Sequence, residues 1–160
     1  MSLQYIIDGC NVIHSTVFRN QRAKRHSDSR LLLIEIIKQY KLCGSENNKV
    51  TVVFDGYPDK TLGEIFGQGL KVLFSFDKSA DDTIRDMLET SNNTKNTVVV
   101  SDDKEIVLCS RLFLAKPLSV KDFIVRGVRS QKDKTESREK EVTFSQMHKI
   151  NEELKKIWLR

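Results

Sequence analysis

The sequence predicts an α/β sandwich built on a mostly parallel sheet of five strands. Five short apolar runs rich in Val, Ile and Phe recur, at 5–7 (YII), 50–54 (VTVVF), 70–76 (LKVLFSF), 97–101 (TVVVS) and 112–116 (LFLAK). They are continuous rather than alternating in polarity, as expected of strands covered on both faces. Stretches with helical character lie between them, the alternation that a parallel sheet and its crossovers require.

The first run stops on Asp8 and Gly9, with Asn11 just beyond. A basic loop follows, FRNQRAKRHSD (18–28). The segment 28–42 then opens on a capping Asp28 or Ser29 and carries apolar residues at 32, 33, 36, 37 and 40, a helical stripe that ends near Gly44. The second run delivers Asp55 into an Asp-Gly-Tyr-Pro turn. After the third, Ser79 caps a helix over 79–91 with Asp81 and Asp82 in its first turn and Ile84, Met87 and Leu88 on one face. The fourth run ends on Ser101, Asp102 and Asp103. Shorter helices are expected over 103–111 and 119–127, the second closed by Gly127. These elements make a core domain of residues 1–128. Residues 129–143 are charged and without periodicity, a linker or loop. Residues 144–160 form an amphipathic helix, with Met147, Ile150, Leu154, Ile157 and Trp158 on one side, expected to pack on the same domain.

At 160 residues the chain fits one domain with a short appendage. No apolar run approaches the roughly 18 residues needed to span a bilayer. The N-terminus lacks the pattern of a signal peptide, which points to the cytoplasm. Cys10, Cys43 and Cys109 show no metal or disulfide spacing and read as packing residues. The net charge of +5 is unevenly spread: 19–30 carries five basic residues against one acid, and 126–160 ten against six, so the remainder is acidic.

That acidic remainder is placed by the fold. In an open parallel sheet the carboxyl ends of the strands share one edge, where ligands bind. Asp8, Asp55, Asp102 and Asp103 follow strands directly, and Asp81 and Asp82 open a helix that follows one. Clustered carboxylates raise one another's pKa unless a cation compensates them. An oxygen-only donor set selects Mg²⁺ or Mn²⁺ over Zn²⁺, and such an ion assists hydrolysis of phosphodiesters. Asp55 and Asp103 are candidates for the edge of the site, since an Asp-Gly turn and a helix cap also explain them. Arg19, Arg22, Lys24 and Arg25 in the loop after the first strand are candidates for contact with a nucleic-acid backbone, and Phe18 is either a core residue or one that stacks on a base.

With these motifs in hand, DGCN (8–11), VVFDG (52–56), SADDTI (79–84) and VVVSDDKEI (98–106) resemble, in order and over about residues 3–127, the NYN domain of the YacP-like group within the PIN-like superfamily of metal-dependent ribonucleases. The resemblance implies a PIN-like, Rossmann-like three-layer sandwich, a Mg²⁺ or Mn²⁺ site and cleavage of single-stranded RNA. By it, Asp8, Asp82 and Asp102 hold metal, Asp81 is a further ligand or orients water, and Asn11 fixes the Asp8 loop or contacts the scissile phosphate. Asn11 and Ser101 join the basic residues on the substrate side. Messenger RNA on the ribosome is the implied substrate context, and a monomer or weak dimer the expected state. Cys10 stands where the group commonly has Tyr, Lys78 where a Glu is frequent, and Ile106 where a Gln is often seen. Two other readings remain open: a non-catalytic RNA- or ribosome-binding module, and a small-molecule phosphohydrolase. Against the latter, the D-x-D nucleophile motif is missing, because Cys10 follows Asp8 by two positions.

Overall fold

A computed structural model describes residues 1–21, 28–59, 69–127 and 129. The chain divides into two units, Met1–Gly127 and Val128–Arg160. The expected linker over 129–143, apart from Arg129, and the expected helix over 144–160 lie outside the described residues, as do Arg22, Lys24 and Arg25.

In the first unit the elements run β1 (Gln4–Asp8), α1 (Gly9–His14), α2 (Thr16–Gln21), α3 (Ser29–Gln39), β2 (Lys49–Phe54), β3 (Leu70–Phe74), α4 (Ala80–Thr90), β4 (Thr97–Val100), α5 (Lys104–Leu112) and β5 (Lys116–Leu118). Residues 120–127 are again helical. All five strands are parallel, in the order β3-β2-β1-β4-β5. Tyr5 pairs with Val50 on one side and Val98 on the other, so β1 is central and its neighbours come from opposite halves of the sequence.

Side-chain alternation along the strands feeds two cores. Ile7, Val52, Phe54, Val72 and Val100 face α3 residues Leu33, Ile34 and Ile37, together with Val12, Phe18, Phe123 and Ile124. Ile6, Val53 and Val99 face Ala80, Ile84 and Leu88 of α4 and Ile106 of α5. Helices on both faces of a parallel sheet make the three-layer sandwich, and they explain why the strands read as unbroken apolar runs.

Three expectations need correction. The run 112–116 is not the fifth strand. Leu112 ends α5, the chain turns at Phe113 and Leu114 (φ 62°), and the Ala115 amide donates to the Ser110 carbonyl at 2.8 Å, so these apolar residues form a helix terminus. The strand is Lys116–Leu118, and its Pro117 is tolerated because β5 is an edge strand bordered by β4 alone. Secondly, α2 extends into the expected basic loop, and Phe18 on it is 1% exposed, a core residue unavailable for stacking. Thirdly, Gly127 does not close the last helix through a left-handed residue; it is helical, and a Cβ there would meet Leu42 Cδ2 at 1.7 Å.

Gly9 is likewise required by space. It begins α1, and a Cβ would stand 2.4 Å from the ring of the fully buried Phe54. Phe54 has no exposed side on which to retreat. Gly9→Ala is therefore expected to cost roughly 1–3 kcal/mol, read as a lower midpoint in urea unfolding with an unchanged slope.

Candidate functional site

The chain leaves β1 to build β2 and β3 on one side and returns to build β4 and β5 on the other. This makes the carboxyl ends of β1 and β4 a topological switch point, where adjacent crossovers diverge onto opposite faces and leave a crevice. Asp8 ends β1, and Ser101 follows β4 there.

Asp8 is only 4% exposed. Its Oδ1 caps α1 by accepting the Asn11 amide at 3.2 Å, and its Oδ2 accepts the Ser101 hydroxyl at 3.2 Å. The first bond explains the Asp at this position, since a carboxylate satisfies an orphan N–H at a helix start. Ser101 Oγ in turn accepts the Asp103 amide at 3.1 Å. Ser101, expected on the substrate side, is thus buried and holds Asp8. Asn11 bridges outward: its Oδ1 accepts the Asp102 amide at 2.9 Å, tying α1 to the loop after β4. The Asp102 Oδ1 accepts the Val120 amide at 3.0 Å and anchors the helical stretch 120–127.

On the other flank, Asp55 follows β2. Its Oδ1 accepts the Ala80 amide at 2.7 Å, holding the start of α4, while its own amide donates to Cys10 Sγ at 3.3 Å. Cys10 thereby positions Asp55 through its sulfur. Asp103 caps α5, accepting the Glu105 and Ile106 amides at 2.8 and 3.3 Å.

Of the paired aspartates, Asp81 is the one whose charge reaches Asp8. Asp82 is exposed and engaged on its own helix, accepting the Ser79 hydroxyl at 2.9 Å and facing Arg85 at 3.8 Å. Arg19, on the last turn of α2, is exposed.

Burial pushes the Asp8 carboxyl up to about 6, reinforced by Asp81 and Asp55 and opposed by the Asn11 amide and the Ser101 hydroxyl. Asp81 is also raised, first by burial and then by Asp103, Asp55, Glu105 and Asp82. Glu105 is a member of this acidic group to which the VVVSDDKEI motif assigns no role. Its place in the first turn of a helix after a strand, the criterion that singles out Asp81 and Asp82, applies to it equally.

Among the described residues no three His, Cys, Asp or Glu side chains form a ready-made metal cage. The donors do fit a hydrated hard cation, which takes one or two carboxylates and keeps several waters. Two carboxylates raised by burial and by neighbouring acids are what such a cation would relieve.

Fold and site together define a PIN-like α/β protein with an acidic crevice at its switch point. The chain belongs to the YacP-like NYN domain family, a nuclease-type family whose profile matches residues 5–160. Two crystal structures of Rae1 (YacP) from Bacillus subtilis share the fold. A mutant form is 21% identical with a TM-score of 0.63, covering 89% of this chain and 84% of its own. The other is 20% identical with a TM-score of 0.62, covering 91% and 84%. No curated protein matches the chain. Among the described residues no helix is long and apolar enough to cross a membrane.

The shifted carboxyl has a measurable consequence for stability. The folded state holds the Asp8 proton up to about pH 6, whereas an unfolded Asp releases it near 3.8. Stability carried by the neutral form is present below pH 4 and lost as pH rises through 6. With metal chelated, Asp8→Asn keeps the cap and removes the charge, so it should exceed the parent in stability by about 2–3 kcal/mol at pH 7.5. That gain should fade toward pH 4 in urea titrations.

Proposed function

We propose that the protein is a Mg²⁺- or Mn²⁺-dependent endoribonuclease that hydrolyses phosphodiester bonds of single-stranded RNA in the cytoplasm, with messenger RNA on the ribosome as its context. The observation that carries this reading is Asp8 buried at the switch point beside other acids, its carboxyl raised first by burial and then by Asp81 and Asp55.

Asp8 and Asp81 would hold the ion, with the second carboxylate oxygen of Asp102 as a further donor and Asp82 outside them. When bound, the ion supplies polarisation of the phosphate and activation of water. Ser101 and the Asn11 amide keep Asp8 oriented, and Asp81 would orient the attacking water. Asn11 fixes the Asp102 loop, while Asp55 and Asp103 hold the starts of α4 and α5 so that Asp81 stays aimed at the crevice. Arg19, with Arg22, Lys24 and Arg25, would guide the RNA backbone, and the affinity of those contacts would fall as salt rises.

The test is cleavage of end-labelled single-stranded RNA with and without Mn²⁺, first free and then on translating ribosomes. Asp8→Asn and Asp81→Asn should each lose roughly a hundredfold or more in rate, and Asp82→Asn closer to about tenfold. Cleavage by Asp8→Asn equal to the parent's would overturn the reading. Metal-independent binding without cleavage in either setting would favour a binding module.

A further inference from the structure

Beyond the carboxylates, the same edge of the sheet carries a pair of exposed aromatic rings. Tyr57 lies in the loop after β2 and Phe76 in the loop after β3, 60% and 54% exposed. Their rings meet edge to face, with centroids 5.4 Å apart and planes at 83°. Phe54 and Phe74 at the ends of those strands point into the sandwich, whereas Tyr57 and Phe76 are turned out of it.

Their presentation is fixed by the backbone. The Ser75 amide donates to the Phe54 carbonyl and the Phe76 amide to the Gly56 carbonyl, both at 2.9 Å, and the Gly56 amide donates to Ser75 Oγ at 3.2 Å. The Tyr57 hydroxyl donates to Asp77. Phe76 holds φ at 54°, a conformation costly for a bulky residue, and one that persists only where its surroundings enforce it. Two loops are thus laced together, one residue is strained, and the product is a rigid aromatic platform facing solvent.

The loop that carries Tyr57 begins at Asp55, on the flank of the acidic crevice. Tyr57 is two residues from Asp55, whose charge acts on Asp8, and Asp55 also holds the Ala80 amide just beyond the Phe76 loop. An acidic crevice repels phosphates, so an RNA chain needs affinity there that does not depend on charge. Stacking supplies it, since every base has a neutral π-face. The geometry points to Tyr57 and Phe76 as a stacking subsite for an unpaired base of single-stranded RNA next to the cleavage site. This inference rests on the endoribonuclease reading and adds a subsite to it.

The experiment uses the full chain with Asp8→Asn, in which the RNA stays intact, and fluorescence anisotropy with labelled single-stranded RNA over a range of salt. Tyr57→Ala and Phe76→Ala should each weaken binding about tenfold with the slope against salt unchanged, because no phosphate contact is lost. Tyr57→Phe should bind like the parent. Duplex RNA, whose bases are not free to stack, should bind all variants equally. Thermal unfolding midpoints matching the parent's show that the loops still fold, and Phe76→Tyr, which keeps the ring, should retain affinity where Phe76→Ala loses it. Alanine variants that bind single-stranded RNA as the parent does overturn the subsite and leave a protein surface as the occupant. So does an equal loss on duplex RNA. Cleavage by the otherwise unaltered protein tests the endoribonuclease reading separately: a stacking subsite that fails leaves cleavage and its dependence on Asp8 standing.

Discussion

The structure turns on a carboxylate buried where the chain changes direction across its sheet. Asp8 ends the central strand, is almost inaccessible to water and, among the described residues, has the Asn11 amide and the Ser101 hydroxyl as its hydrogen-bond partners. Two neutral donors do not offset the loss of hydration of a full charge, which is why burial outweighs them and the carboxyl is raised. The deficit cannot be relieved by moving the side chain. β1 is paired on both sides, and Gly9 is held against Phe54.

Around that fixed point the other polar groups act as braces. Asn11 and Asp102 form a relay from α1 through the β4 loop to the amide of Val120. Asp55 and Asp103 satisfy helix starts. Each acid therefore does two things at once: it closes a backbone donor that would otherwise be orphaned, and it adds negative potential to the crevice. The short helix α1 is part of the same economy, since its capping carboxylate is Asp8 itself.

Much of this is legible in the sequence because a parallel sheet converts position along the chain into position in space. Once YII, VTVVF and TVVVS are strands, Asp8, Asp55 and Asp102 must share an edge, and α4 opens at that edge with both its acids. What the sequence cannot fix is rotation about a helix axis. Asp81 and Asp82 are adjacent, yet on a helix they point about 100° apart, and only the packing of Ile84 and Leu88 on the sheet turns Asp81 toward the crevice and leaves Asp82 to Arg85. The six-residue helices α1 and α2 are too short to show a period. The fifth strand is hidden for the opposite reason: LFLA is a continuous apolar run like the strands but finishes a helix, while Lys116–Leu118 has a proline at its centre and is set by pairing with β4.

The electrostatics of the crevice also link its two ligands under the proposed reading. A polyanion and a cluster of carboxylates repel each other, so RNA approaches unfavourably while Asp8 and Asp81 stand uncompensated. A divalent cation reverses that sign for both partners. Binding of the cation and of RNA must then be mutually favourable, with each raising the other's affinity by the same factor. Low pH cannot substitute for the cation, although protonating Asp8 below about 6 also removes negative charge. Protonation takes away one charge of several and a ligand with it, so under this reading RNA would be repelled less and still not cleaved. Under the proposed reading, the buried aspartate is what makes the cation the agent that joins substrate binding to chemistry.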